Sequence, residues 1–139
     1  MCGCNHGGGI YIGASLNTAV TDGGLIPFAN TTFAYGCGVK NKNTSILLCG
    51  KCKEFVIEGS LTLEAPSTGP LTVTILQNGA PVDGGTFETT VAGTSANVIV
   101  PIFAVVSNDC AESSSITVQV SGQATTLSNE SLSVKEWGC

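Results

Sequence analysis

Residues 71–82 read Leu-Thr-Val-Thr-Ile-Leu-Gln-Asn-Gly-Ala-Pro-Val. Leu71, Val73 and Ile75 alternate with Thr72 and Thr74, the two-residue period of a strand that turns one face inward. Asn78-Gly79 closes the run. That dipeptide accepts positive φ at low cost and is the strongest short-range turn signal a sequence carries. A chain organised around such a run must satisfy its backbone in sheets, so the rest of the sequence must supply partner strands.

Partners lie on both sides. Residues 10–12 and 15–16 give a first strand, and 25–28 and 32–35 read as a strand pair with Pro27 at an edge or bulge. Lys40 to Asn43 form a polar turn, 45–48 a brief strand and 55–63 a long one. Residues 81–85 continue the loop after the Asn-Gly turn, and 86–91 resume as strand. Residues 97–106 are nearly all apolar, which predicts a strand covered on both faces. Residues 115–120 alternate cleanly, and 132–134 with Trp137 make the last strand. No helical period persists. Eight to ten short strands with regular turn signals predict an all-β, antiparallel sandwich of jelly-roll type.

At 139 residues the chain is one domain with enough apolar material for a core. Charged residues make up only 11%, against the usual quarter, and mean hydropathy is +0.33. Such a chain hides more surface than a lone subunit can, which points to close oligomeric packing. A net charge of −5 with five Lys and Arg excludes nucleic acid as a partner. No apolar run reaches bilayer-spanning length; the longest holds Pro101. The start has neither a basic segment nor an apolar one, so the expectation is a protein made without a signal peptide.

Residues 1–9 are read as a flexible N-terminal arm, and residues 10–139 as the jelly-roll domain. The arm is Cys2, Gly3, Cys4, Asn5, His6, Gly7, Gly8 and Gly9 after the initial Met. Extended, it reaches roughly 25–30 Å, far enough to touch a neighbouring subunit.

The order of motifs then carries a resemblance. Ile26-Pro27-Phe28 comes first, followed by Gly50 and the 55–63 strand. Next come Asn78-Gly79-Ala80-Pro81-Val82, a Thr/Ser/Gly turn, Val98-Ile99-Val100-Pro101 and a closing alternating strand. Over about residues 25–137 this resembles the jelly-roll heads shared by tumour necrosis factor and the complement globular head. It is most similar to the bacterial and phage versions, found at exosporium filament tips on spores and on phage virions. The resemblance implies a homotrimer that packs apolar sheet faces against a threefold axis, in a structural or receptor-facing role without catalysis. The sequence departs from many spore-surface members in lacking a Gly-X-Y stalk, and the fold does not explain its seven cysteines.

Those cysteines allow three readings. Cys49-x-x-Cys52 has metal-knuckle spacing, and Cys2, Cys4 or His6 could complete a zinc site. Alternatively Cys2 and Cys4 on the arm, with the terminal Cys139, cross-link neighbouring subunits, since an odd count leaves one cysteine over. In the third reading Cys37 and Cys110 are small buried hydrophobes and the rest are reduced thiols. Redox catalysis at Cys49–Cys52 needs a helix N-terminus that the sequence does not provide. Trp137 and Tyr35 could stack on a sugar, but core packing is the default for both.

The sequence therefore predicts a non-catalytic, self-assembling structural subunit with no cofactor, displayed on a virion or other extracellular particle surface. A phage capsid decoration or head-fibre protein comes first, with the arm anchoring the trimer to a capsid or other surface protein. A disulfide-cross-linked spore coat or spore-appendage subunit is the alternative in the same class. The alternative in a different class is a glycan- or receptor-binding head that uses the loops at 66–70 and 80–85.

Overall fold

The computed structural model describes residues 7–138. Among them ten strands form: β1 (Gly8–Val20), β2 (Phe33–Gly36), β3 (Val39–Asn41), β4 (Ile46–Cys49), β5 (Glu54–Ala65), β6 (Gly69–Gln77), β7 (Ala80–Val91), β8 (Ala96–Ser107), β9 (Ser113–Ser121) and β10 (Thr125–Gly138). Two five-stranded antiparallel sheets result. The first runs β2-β1-β10-β5-β8 and the second β3-β4-β9-β6-β7. This is the expected antiparallel sandwich, and consecutive strands repeatedly cross between sheets as in a jelly roll.

The two sheets meet along aliphatic side chains supplied by every second residue. Ile10, Ile12, Phe55, Ile57, Leu61, Leu63, Val100, Ile102, Leu132 and Val134 point inward from the first sheet. Leu71, Val73, Ile75, Ile116, Val118 and Val120 meet them from the second. Fully burying one such side chain contributes roughly 1.5–3 kcal/mol, so this layer is the main source of stability.

The Asn78-Gly79 turn forms as the sequence predicts. Gln77 pairs with Ala80 across it, and both turn residues have positive φ, 51° and 84°. That is the two-residue turn whose twist matches the flanking strands. The 71–77 strand is not the centre of its sheet, however: β6 lies between β9 and the edge strand β7.

Four other expectations are corrected. Gly8 and Gly9 belong to β1 rather than to an arm, and pair with Gly36 and Tyr35. Glycine is needed at Gly9 because the Tyr35 ring lies where a side chain would go: a Cβ there would stand 2.9 Å from the ring. Residues 25–28 and 32–35 do not pair. Leu25 bridges to Gln119, while the Ile26 and Phe28 amides donate to Val118 and Asn43 carbonyls. The long-range acceptors win because Pro27 has no N–H to give a ladder. Residues 81–85 are strand, accommodated by a register shift between Thr74 and Leu76. Finally, residues 97–106 are not covered on both faces. β8 is an edge strand that buries Val100, Ile102, Ala104 and Val106 and exposes the residues between them.

Val73 is 1% exposed inside the sandwich, whereas Thr74 lies on the opposite face of β6. Val73→Asp places an unpaired charge in the core and should cost about 4 kcal/mol or more, abolishing cooperative melting by circular dichroism. Thr74→Asp should cost about 1 kcal/mol or less. A folded Val73→Asp protein would mean that the faces of β6 are reversed.

An exposed aromatic face as the candidate interaction site

Alternation that fills the core from the first sheet also fixes what faces outward. Tyr11 lies between the inward Ile10 and Ile12, and register places Phe33 beside it and Tyr35 beside Gly9. At the other edge Val56 pairs with Val105, Glu58 with Phe103 and Thr62 with Ile99. Among the described residues, Tyr11, Phe33, Tyr35, Ile99, Phe103, Val105 and Trp137 are large, apolar and exposed, and all seven project from this outer face. Ile99 is 70% exposed, Trp137 66%, Phe33 61% and Phe103 59%. Leu25, which is also exposed, belongs to the other sheet's edge through its bridge to Gln119.

The aromatic side chains are braced. Phe33 and Tyr35 have ring centroids 6.3 Å apart. The Tyr11 hydroxyl lies 3.2 Å from Ser131 Oγ, and its ring crosses Gly13, where a Cβ would stand 2.7 Å from the hydroxyl oxygen. Near the β8 edge, Val56, Phe103, Val105 and Trp137 rim a hollow of about 250 Å³ with Glu58 and Lys135. Those two charges pair at 3.7 Å, both half exposed, and contribute under about 1 kcal/mol. The face therefore carries two apolar groups separated by a polar strip of serines with Glu58 and Lys135.

Glu130 lies on the inner side of the same strand, 1% exposed. Its Oε1 accepts a 2.8 Å hydrogen bond from the Ala29 amide. Its Oε2 finds no partner among the described residues. Burial raises the carboxyl's pKa above the ordinary 4.5, with the Ala29 N–H acting in the opposite direction.

The sequence-derived site residues are dispersed. Cys2, Gly3, Cys4, Asn5, His6 and Cys139 lie outside the described residues. Gly7 precedes β1. Cys37 and Cys49 are disulfide-bonded, whereas Cys52 and Cys110 are free and exposed. This corrects the zinc reading, because a disulfide sulfur at Cys49 has no thiolate for a metal. Among the described residues no three His, Cys, Asp or Glu side chains are grouped to hold one. It also corrects the buried-hydrophobe reading of Cys37 and Cys110. Tyr35 and Trp137 are surface residues rather than core. Residues 80–83 line a hollow of about 320 Å³ with Gln77, Ser107 and Asp109, while 66–70 run from the β5–β6 turn into β6.

Sequence reasoning missed Phe33, Ile99, Phe103 and Val105 as surface groups. In 98–106 both alternating sets are apolar, so the sequence has no signal that separates them.

Two antiparallel sheets in this order define a jelly-roll β-sandwich. Its structural neighbours are TNF-like jelly-roll proteins. A murine APRIL structure matches with a TM-score of 0.62 at 12% identity, covering 94% of this chain and 98% of that one. A second murine APRIL structure gives 0.63 at 10% identity, over 95% and 100%. The vertex protein P5 of PRD1 gives 0.52 at 11% identity, over 93% of this chain and 72% of that one. No protein-family model and no curated protein sequence matches the chain.

Glu130 makes stability depend on pH with a definite sign. Its folded-state pKa is raised, so the folded chain binds the proton more tightly than the unfolded one. That contribution is complete below the ordinary 4.5 and is lost as pH rises through the raised value. Urea midpoints measured from pH 4 to 8 should therefore fall through this window, and Glu130→Gln should flatten the fall. A midpoint that rises equally in both proteins would contradict this assignment.

Proposed function

We propose that the protein is a non-catalytic structural subunit that assembles as a homotrimer through the outer face of the β2-β1-β10-β5-β8 sheet and decorates a particle surface. One observation carries this reading: seven exposed large apolar side chains gather on one face of one sheet. Single exposed hydrophobics are ordinary, but clusters mark an interface; here Tyr11, Phe33 and Tyr35 cluster at the β2–β1 edge and Ile99, Phe103, Val105 and Trp137 on the β8 side, with Ser133 and Glu58 between the two groups. Each side chain fully covered contributes roughly 1.5–3 kcal/mol. Association costs about 4–15 kcal/mol in lost freedom, so several of the seven must be buried on each partner. The low charge content of the chain supports the same conclusion.

A phage capsid decoration or head-fibre protein is the particular role we favour. The jelly-roll likeness to the PRD1 vertex protein supports it. In this reading residues 2–6, ahead of β1, tether the trimer to its particle.

Phe103 is the substitution of choice, because it is exposed in the single chain and pairs across the sheet with Glu58. Phe103→Lys should keep the β-rich circular dichroism spectrum, since a Lys opposite Glu58 is tolerated. It should shift sedimentation from trimer to monomer at micromolar concentration. Thr90→Lys, at an exposed position on the edge strand of the other sheet, should leave the trimer intact. A Phe103→Lys protein that still sediments as a trimer would reject this face as the interface.

A further inference from the structure

We propose that Cys52 and Cys110 form a paired-thiol site that an oxidant closes into an intramolecular disulfide, fastening the β4–β5 loop to the β8–β9 loop. The inference does not depend on the assembly proposed above. Both cysteines are free and exposed, while the other two described cysteines, Cys37 and Cys49, are already in disulfides.

A backbone hydrogen bond brings the main chain at the two free cysteines close. The Cys52 amide donates to the Asp109 carbonyl at 2.7 Å. One N–Cα bond separates that amide from the Cys52 Cα, and one trans peptide separates that carbonyl from the Cys110 Cα. These fixed lengths hold the two Cα atoms within about 7 Å. Disulfides span Cα separations of about 4.4–6.8 Å.

The approach is built rather than incidental. The Asn108 amide donates to the Lys53 carbonyl at 3.0 Å, and the Gly50 amide donates to Glu112 at 2.9 Å. The buried Asn108 side chain reaches across the same gap, its Nδ2 donating to the carbonyls of Leu48 and Gly50 at 3.2 and 2.9 Å. Its Oδ1 accepts from Ser114 Oγ at 2.5 Å. Cys52 holds left-handed backbone, φ 58°, which is uncommon for a residue of its type, while Asp109 at φ 50° is a turn residue that adopts it readily. The two loops are thus locked at bridging distance before any bond between the thiols exists.

Closure requires an oxidant, for which a small-molecule disulfide suffices. One cysteine sulfur, after losing its proton to solvent, attacks oxidised glutathione and expels one glutathione thiolate. The second cysteine sulfur then attacks the mixed disulfide at the first and expels the other. One protein disulfide forms, the small-molecule disulfide is reduced to two thiols, and the two protons released pass to those thiols.

The full chain, with its existing disulfides intact, is incubated with oxidised glutathione, blocked with N-ethylmaleimide, digested without reductant and read by mass spectrometry. The expected product is a peptide pair joined through Cys52 and Cys110, with no glutathione retained at either. Cys52→Ser should instead trap a stable glutathione adduct on Cys110, because no second thiol displaces it. The oxidised protein should melt on the order of 10 °C above oxidised Cys52→Ser. Glutathione retained at both positions, or either cysteine bonded to another chain, would overturn the proposal. So would either cysteine joined to a different cysteine of the same chain.

Discussion

The inward layer of aliphatic side chains between the two sheets is the constraint on which the rest depends. Strand alternation lets each strand commit only half its residues to that layer. Once Ile10, Phe55, Ile57, Val134 and Ile102 are buried against Val73, Ile75 and Val118, the outward set is no longer free to choose. Tyr11, Phe33, Phe103 and Trp137 reach the surface because the core has claimed the other register. A one-residue slip would exchange the two sets, and the outward set in β10 and β5 includes Lys135 and Glu58, whose burial would be costly.

The outer face follows from this and explains two peculiarities of the composition. A chain with few charges and positive mean hydropathy has few charged residues to place on such a surface. The glycines of β1 are in the strand because aromatic rings from β2 and from β1 itself lie across it, at Gly9 and Gly13. Flat rings on a glycine strand make a smooth apolar surface. That surface suits contact with another sheet or with another copy of the chain better than recognition of a charged ligand.

Much of the fold was legible in the sequence, because most strands carry their own local signal. The Thr/aliphatic alternation of 71–75 and the Asn78-Gly79 turn needed no long-range information. Where the reading failed, a distant partner decided the outcome. Gly8 and Gly9 look flexible until Tyr35, far along the chain, is laid over them. Residues 98–106 are apolar in both registers, and only the two-layer packing, which covers one face of each sheet, leaves the other register exposed. The pairing of 25–28 with 32–35 failed because Val118 and Asn43 offered carbonyls that Pro27 could not use but its neighbours could. Glu130 sits in a Ser-Asn-Glu-Ser stretch that reads as surface, yet its carboxyl is drawn inward to the Ala29 amide. Of the candidate site, the cysteine spacing at 49–52 suggested a metal, whereas Cys49 is spent in a disulfide and Cys52 faces a loop more than fifty residues away.

The central claim is that the outer face of the first sheet is covered by other copies of the chain. The most direct test is the absolute mass of the purified full chain by multi-angle light scattering at micromolar concentration. A mass three times that of the 14.0 kDa chain is expected, unchanged by moderate salt because apolar contact carries the proposed interface. A mass of one chain would contradict it, leaving the aromatic face open to solvent.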